Sequence, residues 1–270
     1  MKNGILTAAV VVFAIGGIGW AADGGIGVDV DATWVSKYIW RGFDRLDDKA
    51  AFQPSVNVDV GSGFSVGVWG SYAGSSKGGG SVSTVNATEL NYILTYNNSA
   101  FAGEAYQVDY AVNWLYYDFI DMPSKDADLQ EINVALAFPQ ICPSGIVPRY
   151  TAIYIWSAEG GGQANGATGW LHQFGLDYDI VLGEIIPNNP EQVITFSWDI
   201  TYNDGAGATG RSDRLNPDHD WSHMTWGLAT EVACPFGGTF RPGIYYQTSM
   251  EDSVNNEDEL WTGLSYTLSF

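Results

Sequence analysis

Leu260-Trp-Thr-Gly-Leu-Ser-Tyr-Thr-Leu-Ser-Phe270 is the stretch that decides the fold. Leu260, Leu264, Tyr266, Leu268 and Phe270 share one parity, and Gly263, Ser265, Thr267 and Ser269 share the other. Side chains of an extended chain point alternately to opposite faces, so this segment is a strand with one apolar and one small polar face. The chain stops on the apolar parity, on an aromatic ring.

The same alternation recurs upstream. Val28, Val30, Ala32, Trp34 and Tyr38 stand against Asp29, Asp31, Thr33 and Lys37 over Val28–Trp40. Phe52–Val60 and Phe64–Tyr72 are joined by Gly61-Ser62-Gly63, a hairpin signal. Glu89–Tyr96, Tyr106–Tyr117, Ile132–Phe138, Tyr150–Trp156, Trp170–Ile180, Ile194–Tyr202, Ser222–Val232 and Phe240–Gln247 follow. With the terminal strand they make about twelve, each near the roughly 9–11 residues that cross a bilayer at a tilt. Many of the 11 tryptophans and 15 tyrosines fall near strand ends, where such rings anchor at a lipid–water boundary.

The connections alternate in length. Arg41–Ala51, Ala73–Thr88, Asp118–Glu131, Ser157–Gly169, Asn203–Trp221 and Thr248–Glu259 are long. Gly61–Gly63, Asn97–Ala105 and Cys234–Thr239 are shorter, although Pro139–Arg149 and Val181–Gln192 break the trend. Long outer loops, short inner turns and an even strand number predict an all-β, transmembrane up-and-down antiparallel barrel of about twelve strands. A strand ending on an aromatic residue resembles the C-terminal assembly signal of bacterial outer-membrane barrels, which assigns that role to Tyr266, Leu268 and Phe270. A soluble β-sandwich also alternates and is the competing fold.

The N-terminus supports export. Lys2, the apolar stretch Ile5 to Ile18 and the small-x-small site Gly19-Trp20-Ala21 read as a secretory signal peptide over residues 1–21, leaving the barrel domain as 22–270.

The chain carries 31 acids against 11 bases, a formal charge of -20, which argues against nucleic acid and against anionic substrates. If the apolar parity faces lipid, the inner wall carries Asp29, Asp31, Asp59, Glu89, Asp109, Glu131, Asp177, Asp179, Asp199 and Glu231. Only Lys37, Arg41 and Arg241 answer them there. An acidic, water-filled lumen concentrates cations and repels anions, so these thirteen residues are the expected pore lining of a channel for small cationic or neutral hydrophilic solutes. The loops are acidic too, as at Asp44, Asp47 and Asp48 or Asp218-His219-Asp220, but no calcium-loop spacing is present and no metal site or cofactor is expected. Cys142 and Cys234 fall in inner connections, where an oxidising compartment permits a disulfide between them.

Trp34-Val-Ser-Lys-Tyr-Ile-Trp-Arg-Gly-Phe43, Gln53-Pro-Ser-Val56 and Gly63-Phe-Ser-Val-Gly-Val-Trp-Gly-Ser71 together resemble the opening strands of the TorF porin family. The resemblance covers the first three strands and implies a bacterial outer-membrane location. It also implies folding partners, the periplasmic chaperones and the barrel assembly machinery, with outer-membrane lipid as the surroundings. In the segment after Arg41-Gly42 this chain, with Phe43-Asp-Arg-Leu-Asp-Asp48, departs from the family's short polar loop.

Two other functions compete with the channel. A sealed barrel would act as a structural or adhesion element, because this strand number lies between filled and open interiors. An outer-membrane lipid-acting enzyme would need a base such as His172, which the alternation puts on the lipid face; its neighbours Trp170-Leu-His-Gln-Phe174 include no serine nucleophile, so no catalytic residue is assigned.

Overall fold

A computed structural model of the chain describes residues 26–74, 88–160, 167–183, 185, 191–207, 219–252 and 254–270. The signal segment 1–21 lies outside these residues. Among them stand twelve long strands: β1 (Gly27–Val35), β2 (Ala51–Gly61), β3 (Phe64–Ala73), β4 (Thr88–Ala100), β5 (Val108–Asp118) and β6 (Leu129–Ala137) form the first half. The second half is β7 (Val147–Ser157), β8 (Gly169–Leu182), β9 (Gln192–Asp204), β10 (His219–Thr230), β11 (Thr239–Ser249) and β12 (Glu259–Ser269).

Each strand pairs antiparallel with its neighbours in the chain, and β1 pairs with β12 over Asp29↔Ser269 to Val35↔Gly263. The wall therefore closes on itself and leaves no edge. Closure is what lets a sheet sit in hydrocarbon, because every backbone polar group then finds a partner inside the wall.

The faces sort as alternation requires. Val30, Val56, Val66, Val68, Leu94, Ile132, Leu228 and Leu264 point outward and remain 38–45 % exposed. Asp31, Ser65, Thr95, Asn113, Asn133 and Ser197, on the opposite parity, are buried. A water-soluble sandwich would bury the first set and expose the second, so that fold is excluded. No helix of the described residues is long and apolar enough to cross a membrane, a test that says nothing of strands.

Aromatic rings mark two levels on the outside. At the short-turn end Phe64 packs on Tyr96 with centroids 4.7 Å apart, and Tyr96 on Tyr110 at 6.3 Å. At the long-loop end Tyr154 meets Trp170 at 4.8 Å and Tyr202 meets Trp221 at 5.5 Å. Phe64 and Tyr72 bound the outer face of β3, roughly 26 Å apart along the strand at about 3.3 Å per residue. Tilted, that length suits the apolar band of a membrane barrel.

The hairpin between β2 and β3 turns on Ser62 (φ 56°) and Gly63 (φ 84°), two successive left-handed residues that match the twist of the flanking strands.

The sequence places the first strand at Val28–Trp40, but the wall strand ends at Val35. Ser36 and Lys37 bend the chain inward, and Ile39–Trp40 pairs with Phe43–Asp44 in a small hairpin away from the wall. A continued strand would have placed Ile39 on the polar parity. Folding inward buries it together with its apolar neighbours.

Candidate functional site

The inward segment 36–50 fills the long-loop half of the barrel. Tyr38, Ile39, Trp40, Phe43 and Leu46 are each no more than 3 % exposed. Tyr38, Trp40, Phe43 and Leu46 pack with wall residues Trp69, Leu115, Tyr117, Leu129, Ile153, Ile155 and Leu171 in one apolar cluster. Trp40 stacks on Phe43 at 5.8 Å and meets Tyr117 edge-on at 5.6 Å, while Tyr38 tilts against Trp69 at 5.8 Å. The guanidinium of Arg45 lies over the rings of Trp40 and Phe119 at 5.4 and 5.0 Å, a cation–π arrangement.

Polar anchors tie this segment to the wall on several sides. The Tyr38 hydroxyl donates to Glu89 of β4 at 3.1 Å, and Arg41 Nη2 donates to Glu131 Oε1 of β6 at 2.7 Å. Glu131 also accepts from the Tyr117 hydroxyl at 2.8 Å and from Asn133 at 2.7 Å. Lys37 Nζ donates to Glu259 of β12 at 2.7 Å and pairs with Asp48 inside the segment. Gln247 of β11 donates to the Gly42 carbonyl at 2.9 Å.

Gly42 is required where it stands. Its φ is +90°, and a Cβ built there would lie 2.5 Å from the His223 ring. Only a residue without a side chain satisfies both the left-handed backbone and the close approach. The Tyr38, Arg41 and Gly42 of the opening motif are thus anchors of the inward segment rather than the top of a strand.

Burial opposes the charge of Lys37, but the Asp48 and Glu259 carboxylates overcome it and hold the ammonium above its ordinary value. Burial likewise raises Asp44, partly offset by the amides of Asp48 and Leu46 that its carboxylate accepts. Asp44, Asp48 and Glu259 bring carboxylate oxygens within 4.8 Å of one another. The Lys37 ammonium bridges two of the three and offsets one of the group's three charges.

The expected lining residues divide by height. Glu89 and Glu131 lie in the long-loop half and serve the anchors above. Lys37 and Arg41, expected on the wall, belong to the inward segment. Lower down, Arg149 sits between two aspartates: Nε reaches Asp177 Oδ2 at 2.6 Å and Nη2 reaches Asp199 Oδ1 at 3.0 Å. Arg149 was assigned to a turn from sequence because prolines surround it, yet Val147–Ser157 is continuous strand and turns it inward. Asp31 is buried and accepts from Thr33 and Thr267. Arg241 approaches Glu231 at 3.8 Å near the short-turn rim.

Asp29, Asp59, Asp109 and Asp179 lie on the inward parity close to that rim, on β1, β2, β5 and β8. Asp109 accepts from Ser99 at 2.6 Å and Gln107 at 2.8 Å, and Asp179 from Thr195 at 2.7 Å. Among the described residues none of the four has a basic partner. The molecule therefore has a compact, apolar long-loop half and an acidic opposite mouth, in contrast to the uniformly wet lumen the alternation suggested. Tyr245 and Trp261, stacked at 5.5 Å on the inner side, fill part of the interior as well.

Cys142 and Cys234 carry free thiols. Their turns, β6–β7 and β10–β11, are four strand positions apart around the wall, too far for the Cα separation of roughly 4–7 Å that a disulfide needs. His172 lies on the outer face, where its Nδ1 is 2.8 Å from the Tyr150 hydroxyl and its ring stacks on Tyr150 and Trp170.

This geometry defines a membrane-spanning β-barrel with an inward-folded first connection. Residues 20–152 match the profile of a family described as a bacterial protein of unknown function (Gcw_chp). No curated protein matches the chain. Among solved structures, the KdgM porin is similar at 6 % identity, over 90 % of this chain and 99 % of that one, with a TM-score of 0.48. The NanC porin is similar at 9 % identity over 89 % and 98 %, with a TM-score of 0.49. The outer membrane protein OprD from Pseudomonas aeruginosa is similar at 12 % identity over 90 % and 65 %, with a TM-score of 0.42.

Proposed function

We propose that this chain is a porin-like channel of the bacterial outer membrane, of the TorF porin type, for passive diffusion of small cationic or neutral hydrophilic solutes. The observation that carries this is the acidic mouth. Four aspartates without basic partners, held in a low-dielectric wall, attract cations and repel anions before any narrower part is reached. The inward segment 36–50 is the constriction, and its anchors set how much passes. The signal peptide would export the chain, and the ending Tyr266, Leu268, Phe270 would present it to periplasmic chaperones and the assembly machinery. Deleting Phe270 should lower the folded fraction recovered in outer membranes; unchanged recovery would remove that role.

Refolded protein in a planar bilayer under a KCl gradient, with liposome swelling for uncharged solutes, tests the channel. Cation-preferring current or solute entry supports it. The packed cluster around Trp40 and Tyr117 favours a second reading, a sealed structural or adhesion barrel, and a folded protein that passes neither ions nor solutes would establish that instead. Lipid hydrolysis lost in His172→Ala would turn the assignment toward an enzyme.

A further inference from the structure

The inward segment does not meet the wall equally on all sides. Toward β3, β5 and β6 it is sealed by rings and aliphatic side chains. Toward β8–β11 a cavity opens between Arg41 and Gly42 of the segment and Gln173, Thr201, Thr225 and Gln247 of the wall. Three buried polar atoms on these residues have no hydrogen-bond partner among the described residues: Gln173 Oε1, Gln247 Oε1 and Arg41 Nε. Gln247 is wholly buried, and its Nε2 is committed to the Gly42 carbonyl, so Oε1 is the group it has left for the cavity. The Arg41 charge is answered by Glu131 through Nη2. The unpaired atoms of the lining are thus two acceptors and one donor, beside the Thr201 and Thr225 hydroxyls and the His223 ring.

We propose that the permeation path runs off the barrel axis, through this seam between segment 36–50 and strands β8–β11, and that Gln173, Gln247 and Arg41 select small uncharged solutes carrying hydroxyl or amide donors. This rests on the channel reading and narrows its solute class. Unpaired acceptors on the lining of the seam reward a solute that donates hydrogen bonds, and a solute that cannot must leave them unpaired. An ion would have to shed its water where no opposite charge awaits it. Cations gathered at the mouth therefore cross the seam more slowly than neutral solutes do.

Proteoliposome swelling with urea and with glycerol, on the full-length mature protein, tests the seam. Gln173→Leu combined with Thr201→Val keeps the volume and removes polarity, and it should slow both solutes toward the protein-free rate. Gln247→Ala enlarges the seam and should speed them. Circular dichroism and heat-modifiable migration confirm that each barrel is folded. An unchanged rate in the double variant, or a slower one in Gln247→Ala, overturns the seam while leaving the channel. A wild type impermeable to urea, glycerol and ions alike removes the channel and the seam with it.

Discussion

Arg41 Nη2 donates to Glu131 Oε1 at 2.7 Å, joining the inward segment to strand β6 across 90 residues of chain, with side chains 7 % and 0 % exposed. Each charge is unaffordable without the other, so the pair fixes the segment inside the barrel in one position. Glu131 needs its further donors, Tyr117 and Asn133, to satisfy the remaining lone pairs.

Breaking one member of this pair should cost more than removing both. Arg41→Met or Glu131→Gln alone is expected to destabilise the barrel by about 3–5 kcal/mol, because a buried charge or its donors are left uncompensated. The double variant should lose less than the two losses added. Urea unfolding in detergent, followed by tryptophan fluorescence, measures all three, and additive losses would show that the two residues act independently.

Gly42→Ala tests the fit of the segment against the wall. A methyl group there meets the His223 ring at 2.5 Å on a backbone of φ +90°. The expected loss exceeds about 1 kcal/mol. Gly103, also at positive φ but with open space around its Cβ position, is the comparison site. Equal losses at both would leave the close approach without consequence.

The Lys37 anchor has a pH signature. Its folded value is raised, so its contribution is fully present below the ordinary value of 10.5 and is lost as pH rises through the folded value above it. Between neutral pH and the ordinary value, wild-type stability should show no step from this anchor. A Lys37→Met variant should be less stable across that range, and the gap should close only in stronger alkali. A gap that closes already near neutrality would contradict the anchor.

Charge at the acidic mouth should set ion preference. Replacing Asp29, Asp59, Asp109 and Asp179 together by Asn removes four formal charges while keeping size. The reversal potential under a KCl gradient is expected to move toward zero, with smaller shifts for single changes. A preference untouched by the quadruple variant would place selectivity elsewhere.

The wall was legible in the sequence because a strand broadcasts its two environments at every second residue. Val56, Val66 and Leu264 face out, and Asp31 and Glu131 face in, as their parity said. Arg149 was hidden by the prolines near it, although proline at a wall position such as Pro148 disturbs little when the register runs on through it. Trp261 shares the parity of Gly263 and Ser265, so its ring points inward as well. It is one of the side chains that fill the interior.

The inward segment was another matter. Phe43 and Leu46 sat in what looked like a polar loop, and Ile39 stood on the wrong parity; those were its only local marks. Pairing Arg41 with Glu131, or Lys37 with Glu259, depends on contacts between residues far apart in the chain, and no periodicity encodes those.

Alternation determined that this chain is built of strands with one apolar and one polar face, since period two is a property of the extended backbone. That the wall closes with the apolar face outside was decided by the pairing of its ends and the exposure of its faces. Which half of that inside is packed and which is open to water was decided only in three dimensions. Burying Tyr38, Trp40 and Phe43 required a cavity that exists only once twelve strands have closed around it.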